Sequence, residues 1–135
     1  MDAPGKLIPV PTQETAPFWE GCKAGELRLQ RCADCGRYQF PPQSFCRSCA
    51  GGRLAWSATS GCGKVLSYTI VYWSPNPAYA ADAPYSLALI QLNEGPRMLT
   101  NVTGCPPRQL QIGMEVKVVF EQCGPAIMLP KFQPL

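Results

Sequence analysis

Four cysteines in two doublets constrain this chain more than any other feature. Cys32-Ala-Asp-Cys35 is followed by Cys46-Arg-Ser-Cys49, a C-x2-C-x10-C-x2-C spacing. Two residues between paired cysteines let both thiolates converge on one tetrahedral ion, and Gly36 supplies the unhindered backbone of a knuckle turn. Four sulfurs close the coordination sphere, whereas catalytic zinc keeps a place for water or substrate, so the spacing predicts a structural zinc site. Disulfides, a redox C-x-x-C or unconnected core cysteines are the competing readings, and the paired doublets argue against them. Iron of the rubredoxin kind stays open, because ligand type does not choose between the two metals.

Short strands over residues 27–31 and 38–40 flank the first doublet, so residues 27–59 read as a zinc ribbon. About thirty residues bury too little apolar surface to fold alone. Metal binding, worth roughly 10–16 kcal/mol, supplies the deficit. The chain has 135 residues, which suits one compact unit or two small ones sharing a boundary.

Residues 1–26 form the entry. Pro4, Pro9 and Pro11 oppose helix over residues 1–13 and predict an extended arm, with Leu7, Ile8 and Val10 as apolar contacts should it clasp a partner. A short helix comes next, with Thr15 as cap, Pro17 in the first turn and Gly25 in the left-handed position beyond its end. Phe18 and Cys22 share a face, with Trp19 beside them. The aromatics either cover the ribbon or the unit C-terminal to it, or serve as partner-interface candidates at the surface.

Past the turn at Gly51-Gly52 and a strand over 54–57, Ser60-Gly-Cys-Gly63 marks a bend and the start of a second unit, residues 60–135. Residues 65–73, 85–92, 97–102, 115–121 and 126–132 read as strands, with Asn93-Glu-Gly-Pro96 turning the second into the third as a hairpin. Five strands with no substantial helix predict a five-stranded barrel of OB type, an open sandwich being the alternative. The expected class is mainly β: a short helix, a rubredoxin-like zinc ribbon, then the OB-fold.

Composition narrows function. The sequence contains no histidine, which removes the commonest general base and every mixed Cys/His metal site. Net charge is +3 with 16% charged residues, too mild and scattered for a dedicated nucleic-acid binder. No apolar run approaches the roughly eighteen residues of a membrane span and no signal-peptide pattern opens the chain, so a cytoplasmic protein is expected. Cys22, Cys62, Cys105 and Cys123 lack the spacing of a disulfide framework and are expected to be free thiols.

Several motifs recur in a recognisable order: Phe18-Trp-Glu-Gly, the cysteine doublets with Pro41-Pro42 between them, Trp56, Ser60-Gly-Cys-Gly, Ser67-Tyr-Thr69, Pro84-Tyr85, Leu92-Asn-Glu-Gly95, Ile112-Gly-Met114 and Leu129-Pro-x-Phe132. Together they resemble the DUF35 family from Phe18 onward. That resemblance implies a rubredoxin-like ribbon joined to an OB-fold, acting as a noncatalytic accessory subunit of a thiolase-fold enzyme: a thiolase, a synthase of the hydroxymethylglutaryl-CoA type or a steroid side-chain aldolase. It also implies that the OB-fold helps form the partner's acyl-CoA site while the partner holds the reactive residues. CoA needs cations near its phosphates, for which Lys64, Arg97, Arg108, Lys117 and Lys131 are candidates. Tyr79, in the 74–84 loop with Asn76 and Pro77, is a candidate at the channel border.

Two other functions compete. OB barrels bind single-stranded nucleic acid by stacking bases on aromatics, for which Tyr68, Tyr72 and Trp73 would form the platform. The scarcity of Lys and Arg on those strands argues against this. A rubredoxin-like electron carrier is the third reading.

Overall fold

The computed structural model describes residues 5–135, so the first four positions of the expected arm, Pro4 included, lie outside the described residues. Helix α1, Ala16–Lys23, begins where expected, with Pro17 in its first turn. Thr15 sits at the cap without a side-chain capping bond. Its hydroxyl instead accepts the Thr12 N–H at 2.8 Å, which closes the turn that brings the arm into the helix. Gly25 takes the predicted left-handed conformation, φ +79°.

The ribbon is a three-stranded antiparallel sheet ordered β2-β1-β3, from Arg28–Cys32 (β1), Tyr38–Gln39 (β2) and Leu54–Ala58 (β3). β3, the strand expected past the Gly51-Gly52 turn, pairs along the whole of β1, from Arg28 opposite Ala58 to Cys32 opposite Leu54. That ladder fixes the return of the chain after the second doublet.

Cys62–Val71 (β4), Tyr85–Leu92 (β5), Arg97–Thr100 (β6), Glu115–Cys123 (β7) and Ile127–Pro134 (β8) form an antiparallel sheet ordered β6-β5-β4-β7-β8. β5 alternates half-buried and buried along its full length, so Ser86, Ala88, Ile90 and Leu92 face the interior. A register shift between Val65 and Ser67 bends β4 and lets the sheet curl. Gly63 permits a close backbone approach: a Cβ there would lie 2.5 Å from the Gln91 carbonyl oxygen. The two edges meet at a parallel bridge between Val102 and Phe132. Phe132 N donates to Asn101 O at 3.0 Å and Thr103 N to Phe132 O at 2.7 Å. Where the β5–β6 ladder ends, Ser86 Oγ takes over, bonding Val102 N at 2.9 Å and Val102 O at 3.1 Å. The segment between β6 and β7 holds only a 3-10 turn, Pro107–Gln109.

One core joins the parts. Phe18, Cys22, Leu27 and Leu29 from the helix and ribbon lie in the same buried cluster as Val65, Ile90, Leu92, Val116 and Phe132 of the barrel. α1 rests against β8, β1 and β3. Burying apolar side chains contributes about 1.5–3 kcal/mol each, so the barrel helps stabilise a ribbon too small to stand alone. Among the described residues, no helix is long and apolar enough to cross a membrane.

Candidate metal centre and cavity

The two knuckles repeat one backbone design. Gly36 N donates to Cys32 O at 2.8 Å and Cys32 N to Arg37 O at 2.9 Å; Ala50 N donates to Cys46 O and Cys46 N to Gly51 O, both at 2.8 Å. Gly36 and Ala50 both adopt positive φ, +77° and +62°, a conformation that costs alanine more than glycine. The second knuckle therefore carries strain absent from the first.

These turns bring Cys32, Cys35, Cys46 and Cys49 together, with all four Sγ atoms within 4.8 Å of one another. Cys32 and Cys49 approach at 3.6 Å, as do Cys35 and Cys46. A tetrahedral zinc with Zn–S near 2.3 Å separates its sulfurs by about 3.8 Å, so the set fits a four-thiolate ion. The backbone N–H of Cys49, and then that of Ser48, pull the Cys46 thiol down to about 6, while against the Gly51 N–H the thiols of Cys32 and Cys46 push Cys49 up to about 12, so the close-set thiols share their protons as one group. Asp34 and Arg53 pair across the knuckles, which raises the guanidinium pKa through that hydrogen bond. All eight cysteines are free of disulfides.

Sequence reasoning missed the support of the second knuckle. Gln30 and Gln39 are buried, and Gln39 Nε2 donates to Gln30 Oε1 at 2.8 Å and to Phe45 O at 3.1 Å. Gln39 Oε1 accepts Arg47 N at 2.9 Å, while Gln30 holds Gln43 through its N–H and its carbonyl, at 2.9 and 2.8 Å. Two buried amides thus satisfy the backbone of the segment leading into Cys46, and their pairing depends on the β1–β2 register, Gln30 opposite Gln39. The only sequence signal was two glutamines at inward strand positions.

Phe18 does not reach the surface. It is 4% exposed, with its ring centroid 5.0 Å from Trp19 and 5.4 Å from Phe40. Of the two roles open to Phe18, core cover or partner interface, its burial fits the first, because the helix turns its Phe18–Cys22 face onto ribbon and barrel together. Trp19 is half-buried and borders a groove with Ile8, Val10, Pro125 and Ile127. Leu7 and Val10 are 80% and 82% exposed on the arm.

A cavity of about 580 Å³ opens beside the barrel seam, walled by β5, β7, β8 and the segment after β6. The arm and the 74–84 loop complete its rim. That loop carries a short helix α2, Pro77–Ala80, capped by Asn76. Tyr79 Oη accepts Leu7 N at 3.1 Å, and Lys6 pairs with Asp82, a hydrogen bond that raises the lysine pKa. The candidate coenzyme contacts divide here. Tyr79 and Lys131 line the cavity, whereas Lys64, Arg97, Arg108 and Lys117 lie outside its lining. Lys64 and Arg97 flank Gln91 in one row across β4, β5 and β6; Lys117 lies opposite Cys62, and Arg108 sits in the 3-10 turn. Tyr72 and Trp73 are 73% and 76% exposed just beyond β4, and Tyr68 is 36% exposed within it.

A four-cysteine ribbon fused through a common core to a curled five-stranded OB-type sheet defines a class of two-part proteins. Family descriptions agree: the ChsH2 rubredoxin-like zinc ribbon domain matches residues 19–55, and the ChsH2 C-terminal OB-fold domain matches residues 56–121. A DUF35 domain-containing scaffold protein of Pyrococcus furiosus is 35% identical over 106 residues, covering 74% of this chain and 77% of its own. The chain belongs to the DUF35 family. It is also 36% identical over 135 residues to a probable enoyl-CoA hydratase alpha subunit of Thermomonospora curvata, covering 97% of this chain but only 41% of that subunit. The chain thus spans about two fifths of that relative. Among solved structures, a chain of the Ltp2-ChsH2(DUF35) aldolase superposes with a TM-score of 0.84 at 34% identity, covering 94% of this chain and 98% of that one.

Proposed function

We propose that this protein is a noncatalytic accessory subunit that docks on a thiolase-fold enzyme and helps form its acyl-CoA site. The observation that carries the reading is the near end-to-end match to the DUF35 component of an aldolase assembly. The chemistry is compatible, since the sequence lacks histidine and general acid–base catalysis most often uses it. The four thiolates hold zinc, which supplies folding free energy to the ribbon. Trp19 and the ribbon strands form the docking side. Tyr79 and Lys131, already beside the cavity, are the coenzyme contacts best placed to meet an acyl-CoA shared with the partner.

The test is co-expression with a thiolase-fold partner encoded nearby, then size exclusion and an acyl-CoA cleavage assay omitting each chain in turn. Co-elution and full activity only with both chains are expected. A partner fully active alone, or turnover by this chain alone, overturns the reading. So does submicromolar, salt-sensitive binding of a single-stranded oligonucleotide, which would favour the nucleic-acid function.

A further inference from the structure

We propose that the cavity beside the barrel seam binds a small amphipathic carboxylate, whose apolar body lies along Tyr85, Leu87 and Leu129 and whose charge is taken by Lys131 and Lys6. The site is built by this chain alone and needs no partner.

Its size suits such a ligand. About 580 Å³ falls within the roughly 300–1,000 Å³ of small-molecule sites, which combine apolar walls with a few placed polar groups. The two ion pairs on its lining are also asymmetric. Lys6 and Lys131 keep only 24% and 18% of their side-chain surface in solvent, while their partners Asp82 and Glu121 keep 49% and 52%. The lysines are held in the wall, Lys6 with its ammonium 5.7 Å from the Tyr79 ring centroid. Their carboxylates sit at the water side. An exposed carboxylate can swing into solvent at small cost, because a surface ion pair contributes only about 0–1 kcal/mol. Because each lysine stem packs along the cavity wall, its ammonium stays at the cavity when the carboxylate leaves, open to another anion. An entering carboxylate can therefore exchange with Asp82 or Glu121 without leaving a charge unpaired.

The same asymmetry selects the sign of the ligand. A cation would have to displace the wall-held lysines from Asp82 and Glu121, and would then pair only with carboxylates that water already solvates. Selection for an apolar body comes from Leu87, Leu129 and Tyr85, which line the cavity next to those charges.

The experiment uses the full zinc-loaded chain with side-chain methyls labelled, titrated with decanoate, decanol and inorganic phosphate and monitored by calorimetry and NMR. Saturable one-to-one binding of decanoate is expected, with shifts at Leu87 and Leu129, and at least tenfold weaker binding of decanol and of phosphate. Lys131→Met should weaken decanoate at least tenfold, and Lys131→Arg should retain it within about threefold, as a charge-assisted bond requires. Lys6→Met is a second variant, on the arm side of the rim, should Lys131→Met fail to fold. Any of four results overturns the proposal: no saturable decanoate binding at millimolar concentration, decanol binding as tightly, undiminished binding in the lysine variants, or methyl shifts confined to other surfaces.

Discussion

Replacing Gln39 by Ala removes three hydrogen bonds from the ribbon interior at once: those to Gln30 Oε1 and Phe45 O, and the one received from Arg47 N. Net values near 1 kcal/mol per neutral bond put the loss at about 3 kcal/mol. The Arg47 amide comes directly after Cys46, so its release also loosens the second knuckle. Outer partners of metal ligands are typically worth 10–100-fold in affinity, which is the expected fall in zinc affinity. Gln39→Glu sharpens the test: it keeps the acceptor for Arg47 N but turns the donor into an acceptor facing two carbonyl oxygens. Its loss should match or exceed that of the alanine variant, although side-chain volume is unchanged. Urea unfolding of the zinc-loaded proteins and competition against a chromophoric chelator measure both quantities. If Gln39→Ala stays within 1 kcal/mol of the parent and Gln39→Glu binds zinc unaltered, the buried amide pair does not support the metal centre.

Ala50→Gly should raise the stability of the zinc-loaded protein by about 1 kcal/mol in the same denaturation assay, because Ala50 has φ +62°. Cys46→Ser should abolish stoichiometric zinc by metal analysis and unfold the ribbon by NMR, since the metal contributes much of its folding free energy. Phe18→Ala should cost roughly 3–5 kcal/mol as a core deletion, while Trp19→Ala should cost less in urea unfolding and more in partner binding by size exclusion. Burial pushes the Cys22 thiol from 9.0 up to about 12. The unfolded chain then releases the proton first, so stability present below pH 9 falls as pH rises from about 9 toward 12. The slope of melting temperature against pH should be shallower in Cys22→Ala than in the parent; equal slopes refute it.

The metal centre was legible because it is local. Two residues between thiols and a glycine after the first pair define a knuckle whatever surrounds it, and the structure closes the second in the same way although Ala50 must take the positive φ there. The hairpin of β5 and β6 was legible for a similar reason: apolar strand runs joined by Asn93-Glu-Gly-Pro96 name their own partners. Tertiary structure decided the rest. Phe18 became core because one helical face is sandwiched between ribbon and barrel, which no periodicity distinguishes from a surface aromatic. β3 joined β1, and the two-residue β2 set the Gln30–Gln39 pair, through registers specified by long-range packing. The cavity depends on contacts such as Lys6 with Asp82, 76 residues apart, and on the closure of β6 against β8. The scattered cations show the same limit: Lys131 reaches the cavity and Lys64 does not, because the curl of the sheet determines which surface each strand position meets.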